Sequence, residues 1–268
     1  MQQELSLEEI CALIAKRIPF EAKDSEHCFY LKISSYEPII GAAIHDGHHL
    51  PPHLHQNCVL SEQERWYEED PCTARFLGDI PILIKGLDSR YYYDLNRSES
   101  EAVYETAWGK TIWSRPLTAK EREEALKRYR RCYQVIDCLV ETLVNYFSEQ
   151  PILVYDIHSY NFKRWDRAVP EINIGTSQID MQKWSGTMNT YLETLARVFD
   201  SYWVAENDTF FGKGAFLKHL STHYQNVLVF ATEFKKFYCN ELTGELYENA
   251  IQDTTNKMQM VIDQMRAN

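Results

Sequence analysis

Histidines are concentrated in one short segment of this chain. The run IHDGHHLPPHLH holds five of the nine histidines, from His45 to His55. Two imidazoles three residues apart on a turn, such as His45 and His48, can bind one divalent zinc ion, and a third ligand from elsewhere leaves a position open for water. A single histidine is more often a surface or hydrogen-bonded residue, but the clustering favours a metal site. We expect His49, His53 and His55 to be solvated or to support the ligands.

Two further candidates follow apolar segments elsewhere in the chain. His158 lies in YDIHSYN, directly after the run PILVY, and Glu233 follows the run NVLVFA. Ligands bind beyond the carboxyl ends of strands in open α/β sheets, so His45, His158 and Glu233 can meet although they are far apart in sequence. The alternatives are a core histidine bonded to a backbone carbonyl, and a surface ion pair of Glu233 with Lys235 or Lys236.

Basic and polar residues interrupt the aromatic segment DSRYYYDLNR. A guanidinium keeps its charge and presents a rigid fork of donors, so Arg90 and Arg97, with Asn96, suit a substrate carboxylate or an oxyanion. The alternative is an ion pair of an arginine with Asp88 or Asp94. The net charge of −11 favours the functional interpretation, because an anionic substrate needs a local positive site in a repellent field.

The segments that must position these residues alternate between apolar strands and amphipathic helices. Ser6 with Glu9, and Thr118 with Glu121, have the spacing of a capping box at a helix start. Predicted strands cover 38–44, 78–85, 90–95, 151–155, 172–174 and 226–231, and predicted helices cover 6–17, 118–147, 188–203 and 246–265. The alternation predicts an α/β fold: a single domain over residues 1–268 with a mixed, mostly parallel central sheet and helices on both faces.

Composition excludes several classes of protein. Hydrophobic residues make up 44% and charged residues 25% of the 268, which is typical of a soluble globular protein. The net charge of −11 argues against nucleic acid and membrane partners. The N-terminal sequence does not resemble a signal peptide, so we expect a cytoplasmic location. The seven cysteines lack C-x-x-C spacing, which argues against a disulfide framework and a cysteine zinc site. The oligomeric state is not predicted.

Five blocks resemble, in their order, those of the N-formylglutamate amidohydrolase family. They are IHDGHHLP, EEDPCT, SRYYYDLNR, VYDIHSYN with INIGT, and FATEFKKFYCNELTGELY. The resemblance extends from about Pro38 to Tyr247. This family is similar to the zinc carboxypeptidases and aspartoacylases, which implies a zinc-exopeptidase-like fold and hydrolysis of a linear amide bond.

The resemblance implies a site for one zinc ion per chain. His45 matches the first histidine of the H-x-x-E metal motif of that wider group, and His158 matches the histidine that comes later, after a strand. The position of the motif glutamate is His48 here. Imidazole is an acceptable zinc ligand, so a site of three histidines is chemically reasonable. Asp46 is the alternative, either as a carboxylate ligand or as a residue that orients a ligand.

The resemblance also implies roles in binding and catalysis. Asn96 and Arg97 match the pair that holds the substrate carboxylate, and Arg90 resembles the arginine that helps to polarise the scissile carbonyl. Glu233 matches the glutamate that serves as general base. The implied activity is metal-dependent hydrolysis of a small, anionic N-formyl or N-acyl amino acid.

Two other function classes remain open. The altered metal motif leaves room for a protein that holds a metal or senses a carboxylate without catalysis. A thiol hydrolase that uses Cys58 or Cys72 has no recognisable motif around the nucleophile. The segment Asn207–Phe216 could form a mobile loop over the site or a tight connection.

Overall fold

A nine-stranded sheet runs through the molecule. The computed structural model describes residues 3–267. The strands are β1 (Gln3–Leu5), β2 (Phe20–Asp24), β3 (Phe29–Ile33), β4 (Ile39–Ala43), β5 (Ile82–Gly86), β6 (Thr106–Ala107), β7 (Lys110–Thr111), β8 (Ile152–Tyr160), β9 (Ile172–Gly175), β10 (Val204–Glu206) and β11 (Val227–Lys235). The helices are α1 (Leu7–Ala15), α2 (Pro52–His55), α3 (Glu62–Glu68), α4 (Thr73–Phe76), α5 (Ala119–Tyr146), α6 (Met181–Val198), α7 (Ala215–His223) and α8 (Glu248–Ala267).

The sheet is mixed and mostly parallel, as predicted. Its strand order is β1-β2-β3-β5-β4-β8-β11-β9-β10, and β6 and β7 form a separate hairpin. Five of the eight neighbouring pairs run parallel. Helices flank the sheet: α1 packs on α5, and α4 and α6 pack on α8. The predicted α/β fold is therefore confirmed.

Three central strands bring their carboxyl ends to one edge. β4 and β11 both run parallel to β8. All five residues of β4 are buried, and buried residues follow one another along β8 and β11. Such runs are typical of strands that are covered on both faces, where alternation of polar and apolar residues is lost. The residues that follow β4 and those at the ends of β8 and β11 therefore share one end of the sheet.

The two predicted capping boxes are present. The Ser6 hydroxyl accepts the backbone N–H of Glu9 at the start of α1, and the Thr118 hydroxyl accepts that of Glu121 at the start of α5. Each glutamate side chain accepts the backbone N–H of its own cap residue. Each such cap stabilises its helix by about 1 kcal/mol.

The predicted strand over residues 90–95 is wrong. Those residues form turns, and Tyr91, Tyr92 and Tyr93 are all buried at successive positions, which a half-exposed strand does not allow. A backbone hydrogen bond from Tyr92 to Ser89 closes the first turn. The aromatic residues suggested a strand by their propensity, but packing decided the conformation.

The other predicted elements are present with shifted ends. The predicted helix over 188–203 is α6, which begins earlier, at Met181, and ends at Val198. Residues 1, 2 and 268 of the predicted domain lie outside the described residues. Within 3–267, no helix is both long and apolar enough to cross a membrane. The cytoplasmic location stays a prediction.

Candidate active site

A cavity of about 390 Å³ opens at the carboxyl ends of β4, β8 and β11. It gathers six of the seven residues that the sequence suggested for the site, namely His45, Arg90, Asn96, Arg97, His158 and Glu233. The segment 209–214 of the suspected loop also lines it. Cys58 and Cys72 are not among the described residues that line the cavity, so the site offers no support for a thiol nucleophile.

A tight turn after β4 places His45 in the cavity wall. His45 is 2% exposed and follows the strand by two residues. Gly47 then packs against the backbone of Leu87, where an added Cβ would come closer than 3.0 Å. Only glycine permits this close approach. The backbone carbonyl of His45 accepts the N–H of Asp70 at 3.0 Å, which ties a second loop to the first.

Asp46 organises the loop that carries Asp70. Its carboxylate accepts the backbone N–H groups of Cys72 at 2.8 Å and Ala74 at 3.0 Å, and it pairs with Lys85 at 3.2 Å. Burial raises the pKa of Asp46, and Lys85 opposes that rise. Of the two roles considered for Asp46, the contacts match that of a supporting residue, since its oxygens face the loop.

A buried lysine holds the same loop from the other side. Lys236 is fully buried, and its ammonium donates to the carbonyls of Tyr67 and Glu69 at 2.5 and 2.8 Å. Burial lowers the pKa of Lys236. Because two carbonyls just before Asp70 accept hydrogen bonds from its ammonium, Lys236 fixes the path of the chain into the site.

His45, Asp70 and His158 form a compact buried group. Oδ2 of Asp70 lies 3.3 Å from Nδ1 of His45 and 3.1 Å from Nδ1 of His158. One possible ligand atom from each of the three residues lies within 4.8 Å of the others. The two imidazole rings meet edge to face, with centroids 4.9 Å apart. The remaining oxygen of Asp70 accepts the Ser159 hydroxyl at 3.3 Å.

A second carboxylate lies beside each imidazole. Nε2 of His45 is 2.8 Å from Asp94, and Nε2 of His158 is 3.0 Å from Asp156. Although burial opposes both shifts, the two histidines hold the pKa of Asp70 below its ordinary value, and the carboxylates of Asp156 and Asp70 raise the pKa of His158. The hydrogen bond with Asp94 fixes the ring of His45 in orientation from its Nε2 side, and Nε2 of His158 lies in close contact with the Asp156 carboxylate.

The donor set fits a divalent metal ion. Nδ1 of His45 is buried and makes no hydrogen bond to any residue within 3–267. Two imidazoles and a carboxylate are ligands that zinc accepts, and outer carboxylates are the usual partners of zinc-binding histidines. The carboxylates of Asp70, Asp94 and Asp156 lie against the two imidazoles, and such negatively charged oxygens favour a divalent cation at this place.

His48 does not join the group. Its Nδ1 lies 2.7 Å from Glu69 Oε2, and its side chain is 46% exposed. The turn at Gly47 directs the chain away from the cavity after His45, while the hydrogen bond between Asp70 and His45 brings an aspartate to the imidazoles instead. The expectation of three clustered histidines is corrected to two histidines and Asp70.

Glu233 lies opposite His158 on the neighbouring strand. The two residues are paired in the register of β8 and β11, so their side chains project from the same face of the sheet. Glu233 is half-buried, and burial raises its pKa to about 8. The alternative surface ion pairs are not formed: Lys235 binds Glu171 at 2.8 Å, and Lys236 binds the carbonyls described above. A carboxyl group that binds a proton near neutral pH can act as a base or an acid.

Arg90 forms the predicted ion pair and also lies in the cavity wall. Its Nη2 donates to Asp94 at 2.9 Å and its Nη1 to the carbonyl of Glu68 at 3.1 Å, and the guanidinium lies over the ring of Trp108. Arg90 therefore makes the structural ion pair with Asp94 while it lines the cavity. Through Asp94 it is linked to His45, since both bind the same carboxylate.

Asn96 and Arg97 lie at the side of the cavity where two loops meet. Oδ1 of Asn96 accepts the backbone N–H of Phe216, and Gly214 packs so closely on Asn96 that a Cβ would clash. Arg97 is exposed, and in the described part of the chain no acceptor pairs with its guanidinium. A free guanidinium at a cavity wall is suited to bind a carboxylate.

Comparison with known proteins identifies the family. The sequence profile of N-formylglutamate amidohydrolases matches residues 37–237. The chain belongs to this family. The resemblance drawn from the five sequence blocks is thus confirmed.

Solved structures support the fold of this family member. A crystal structure of N-formylglutamate amidohydrolase from Ralstonia eutropha aligns with a TM-score of 0.73 and 18% identity, over 90% of this chain and 98% of that one. A protein from Agrobacterium tumefaciens aligns with a TM-score of 0.67 and 17% identity, over 89% and 96% of the two chains. Comparison with curated protein sequences finds no match.

Sequence reasoning missed the carboxylates of this amidohydrolase-family site. Asp70 lies in the block EEDPCT. This block is part of the family resemblance, but it does not by itself indicate a role for Asp70. The sequence indicates Asp94 only as an ion-pair partner of an arginine, and it gives no signal for a role of Asp156. A run of acidic residues before Pro71 was the available signal for Asp70. The distance in sequence between this acidic run and His45 or His158 does not indicate that these residues share a site.

Proposed function

We propose that the chain is a metal-dependent amidohydrolase that cleaves the amide bond of a small, anionic N-formyl or N-acyl amino acid. One observation carries this proposal: the buried group of His45, Asp70 and His158 and the carboxyl of Glu233 line the same cavity. Membership of the N-formylglutamate amidohydrolase family supports the type of bond. A cavity of about 390 Å³ suits a small molecule.

His45, Asp70 and His158 would hold the metal ion, for which zinc is the best match to the donor set. When bound, zinc supplies a Lewis acid for the substrate carbonyl and lowers the pKa of water towards neutrality. Asp94 holds the imidazole of His45 in orientation through Nε2, and the carboxylate of Asp156 faces Nε2 of His158. The negative charge of these carboxylates also makes the two imidazoles more basic and therefore better metal ligands.

Glu233 moves the proton. Its carboxylate takes a proton from the attacking water and then gives it to the nitrogen that leaves as an amine. Its raised pKa of about 8, caused by burial, makes the second transfer favourable near neutral pH. A bound divalent cation nearby would favour the ionised form, which the first transfer requires.

Arg97 and Asn96 anchor the substrate carboxylate. The guanidinium of Arg97 supplies the charge, and the backbone contacts of Asn96 with the 214–216 segment fix the position of the loop. Arg90 uses three of its N–H groups on Asp94 and Glu68, which leaves two for the carbonyl oxygen as charge develops there. The anchored carboxylate then sets the distance to the reacting carbon.

Metal analysis and a hydrolysis assay on the purified protein test this proposal. We expect about one zinc ion per chain and release of formate from an N-formyl amino acid. The Glu233→Gln variant should keep the metal and lose turnover by about a hundredfold to ten-thousandfold. The His158→Ala variant should lose the metal. Glu123→Gln, a change in an exposed ion pair with Arg130 on α5, is the matched control and should resemble the wild type.

The outcomes separate the proposal from its rival. Bound metal without turnover of any N-formyl or N-acyl amino acid would favour the non-catalytic metal-holding or carboxylate-sensing protein. Full activity of the Glu233→Gln variant would show that Glu233 is not the general base.

A further inference from the structure

One lysine of the cavity wall carries a charge that no residue within 3–267 neutralises. Lys213 lines the cavity, is exposed, and forms no ion pair in that range. Its ammonium lies over the ring of Phe211, 5.5 Å from the centroid. A cation–aromatic contact at an exposed site is weak, so the charge stays available to a ligand in the cavity.

Two arginines of the same wall are already paired. Arg90 binds Asp94 at 2.9 Å, and Arg164 binds Glu68 at 2.6 Å. Arg97 differs from them, because it forms no ion pair with any described residue. The cavity therefore presents two free cations, this arginine and the lysine described above.

The two free cations lie beside one contact between loops. Gly214, which follows Lys213, packs so closely on Asn96 that an added Cβ would meet Oδ1 at 2.0 Å. The N–H of Ala215 donates to the carbonyl of Asn96 at 3.1 Å, and Arg97 is the next residue along that loop. Because consecutive Cα atoms are only about 3.8 Å apart, one small molecule can reach both side chains.

Contacts on both sides hold the backbone that carries Lys213. Gly212 packs on the backbone of Gly175, where an added Cβ at either residue would come closer than 3.0 Å. Nε2 of Gln178 donates to the carbonyls of Gly212 and Gly214 at 2.9 and 3.5 Å. Of the two forms considered for this loop, these contacts match a tight connection. The lysine is therefore presented to the cavity by a fixed backbone.

A substrate with a single carboxylate would neutralise only one of the two cations. In the proposed function, Arg97 and Asn96 bind the α-carboxylate. A carboxylate at the end of the substrate side chain would then pair with the ammonium of Lys213, which offers three hydrogen-bond donors. A carboxamide of the same shape would leave the lysine charge unpaired, so the site discriminates between the two groups by charge.

We infer that Lys213 is a specificity-determining residue that binds a carboxylate at the end of the substrate side chain. This inference rests on the proposed function and deepens it, since it names the residue that would select substrates with two carboxylates. Gly212, Gly214 and Gln178 act through the backbone of the loop and are positioning residues.

A comparison of two substrates of nearly equal shape tests the inference. With the zinc-loaded protein, kcat/KM for N-formylglutamate should exceed that for N-formylglutamine by about tenfold or more. Lys213→Gln should lower this ratio by about tenfold, because a hydrogen bond between charged groups is lost. Lys213→Arg keeps the charge and should keep most of the ratio. The loss in Lys213→Gln should fall on N-formylglutamate.

Lys163 provides a matched control. It also forms no ion pair within 3–267 and lies over the ring of its neighbour Phe162, at 5.9 Å, but it is not among the described residues that line the cavity. Lys163→Gln should leave the ratio unchanged. Circular dichroism and zinc content establish that each variant is folded.

A binding measurement separates recognition from turnover. Calorimetric titration of zinc-loaded Glu233→Gln protein, with and without Lys213→Gln, gives the Kd values of the same two molecules. We expect the preference for N-formylglutamate in binding to fall by about tenfold when Lys213 is replaced.

The possible results are distinguishable. A wild-type ratio of one or less, a ratio that Lys213→Gln leaves unaltered, or an equal loss in Lys163→Gln overturns the inference while the hydrolase stands. If zinc-loaded wild-type protein turns over neither substrate, the proposed hydrolysis is wrong. The calorimetric ratio then decides whether Lys213 binds the second carboxylate: dependence on Lys213 supports it, and independence overturns it.

Discussion

His45, Asp70 and His158 form the proposed metal site, called the metal group below. Each imidazole of this group lies between two carboxylates. His45 is placed between Asp70 and Asp94, and His158 between Asp70 and Asp156. A ring that lies between two carboxylates cannot rotate without losing one of these buried contacts, so the protein itself holds both imidazoles in place. Asp70 is the shared residue of the two contacts. Its loss should therefore affect the site more than the loss of any histidine in the 48–55 segment.

Asp70→Asn should abolish metal retention, whereas His48→Ala should keep it. Asparagine preserves the shape but removes the charged ligand, and we expect zinc affinity to fall by about a hundredfold or more. His48 contacts Glu69 near the surface, so its removal should leave zinc content unchanged. Elemental analysis after dialysis against a weak chelator measures both variants. Metal loss in His48→Ala with full zinc in Asp70→Asn would contradict this ligand assignment.

Glu233 should make the metal-free protein less stable as pH rises. Burial raises the pKa of Glu233 from about 4.5 to about 8, so the folded state binds this proton more tightly than the unfolded state. That contribution is fully present below the unfolded pKa and is lost as pH rises through 8. The Glu233→Gln variant lacks this ionisable group and therefore lacks its contribution to the pH dependence of stability.

Urea unfolding of the zinc-depleted proteins tests the sign. The free energy of unfolding of Glu233→Gln relative to the wild type should increase by about 1–3 kcal/mol between pH 5 and pH 7. Groups remote from Glu233 cancel in this difference. A difference that does not change with pH, or that decreases, would show that Glu233 ionises at its ordinary pKa.

At the scale of elements, the contact between the 88–99 loop and the start of α7 positions Asn96, which we propose as part of the anchor for the substrate carboxylate. Gly214 precedes α7 and packs on Asn96, and the N–H of Ala215 donates to the Asn96 carbonyl. The metal group depends on a different set of loops, those after β4 and around Asp70. Substrate binding and metal binding should therefore be separable by mutation.

Gly214→Ala should weaken substrate binding without loss of metal. The new Cβ would come closer than 3.0 Å to Asn96, so the side chain of Asn96 must move. We expect KM for an N-formyl amino acid to rise about tenfold, with zinc content unchanged. Gly186→Ala is the control, because nothing lies within 4 Å of its added Cβ and it is in the middle of α6. Equal KM values in the two variants would count against the positioning role of this contact.

The elements that carry His45, His158 and Glu233 could be predicted because β4, β8 and β11 are apolar runs that end in polar residues. Their convergence followed from a general rule of parallel sheets. The starts of α1 and α5 could also be predicted, because capping boxes are local signals.

The loops that complete the site could not be predicted in the same way. Asp70 reaches the imidazoles through a backbone hydrogen bond to His45, and its loop is held by Asp46 and Lys236. These are contacts between distant parts of the chain, and no periodic pattern reports them. The aromatic residues around Asp94 indicate a strand that the structure does not contain, so the approach of Asp94 to Nε2 of His45 could not be predicted.

At the scale of the whole molecule, the metal group joins segments that are otherwise held by separate contacts. The loop after β4, the loop around Asp70 and the strand β8 each supply one residue of the group. The net charge of −11 includes several carboxylates buried beside this group. Removal of a bound cation would leave those charges less well balanced and would loosen the connection between the segments. Metal binding should therefore be linked to global stability.

Chelation should lower the unfolding temperature of the zinc-loaded protein. A ligand at a hundred times its Kd stabilises the folded state by about 3 kcal/mol, which corresponds to about 5–10 °C for a chain of this size. Scanning calorimetry with and without a chelator measures the shift, and added zinc should restore the original value. The His158→Ala variant should show no chelator effect, because it cannot retain the ion in the first place. An equal shift in that variant would mean that the chelator acts elsewhere. If the chelator left the unfolding temperature of the wild type unchanged, the group of His45, Asp70 and His158 would not hold a metal that stabilises the fold.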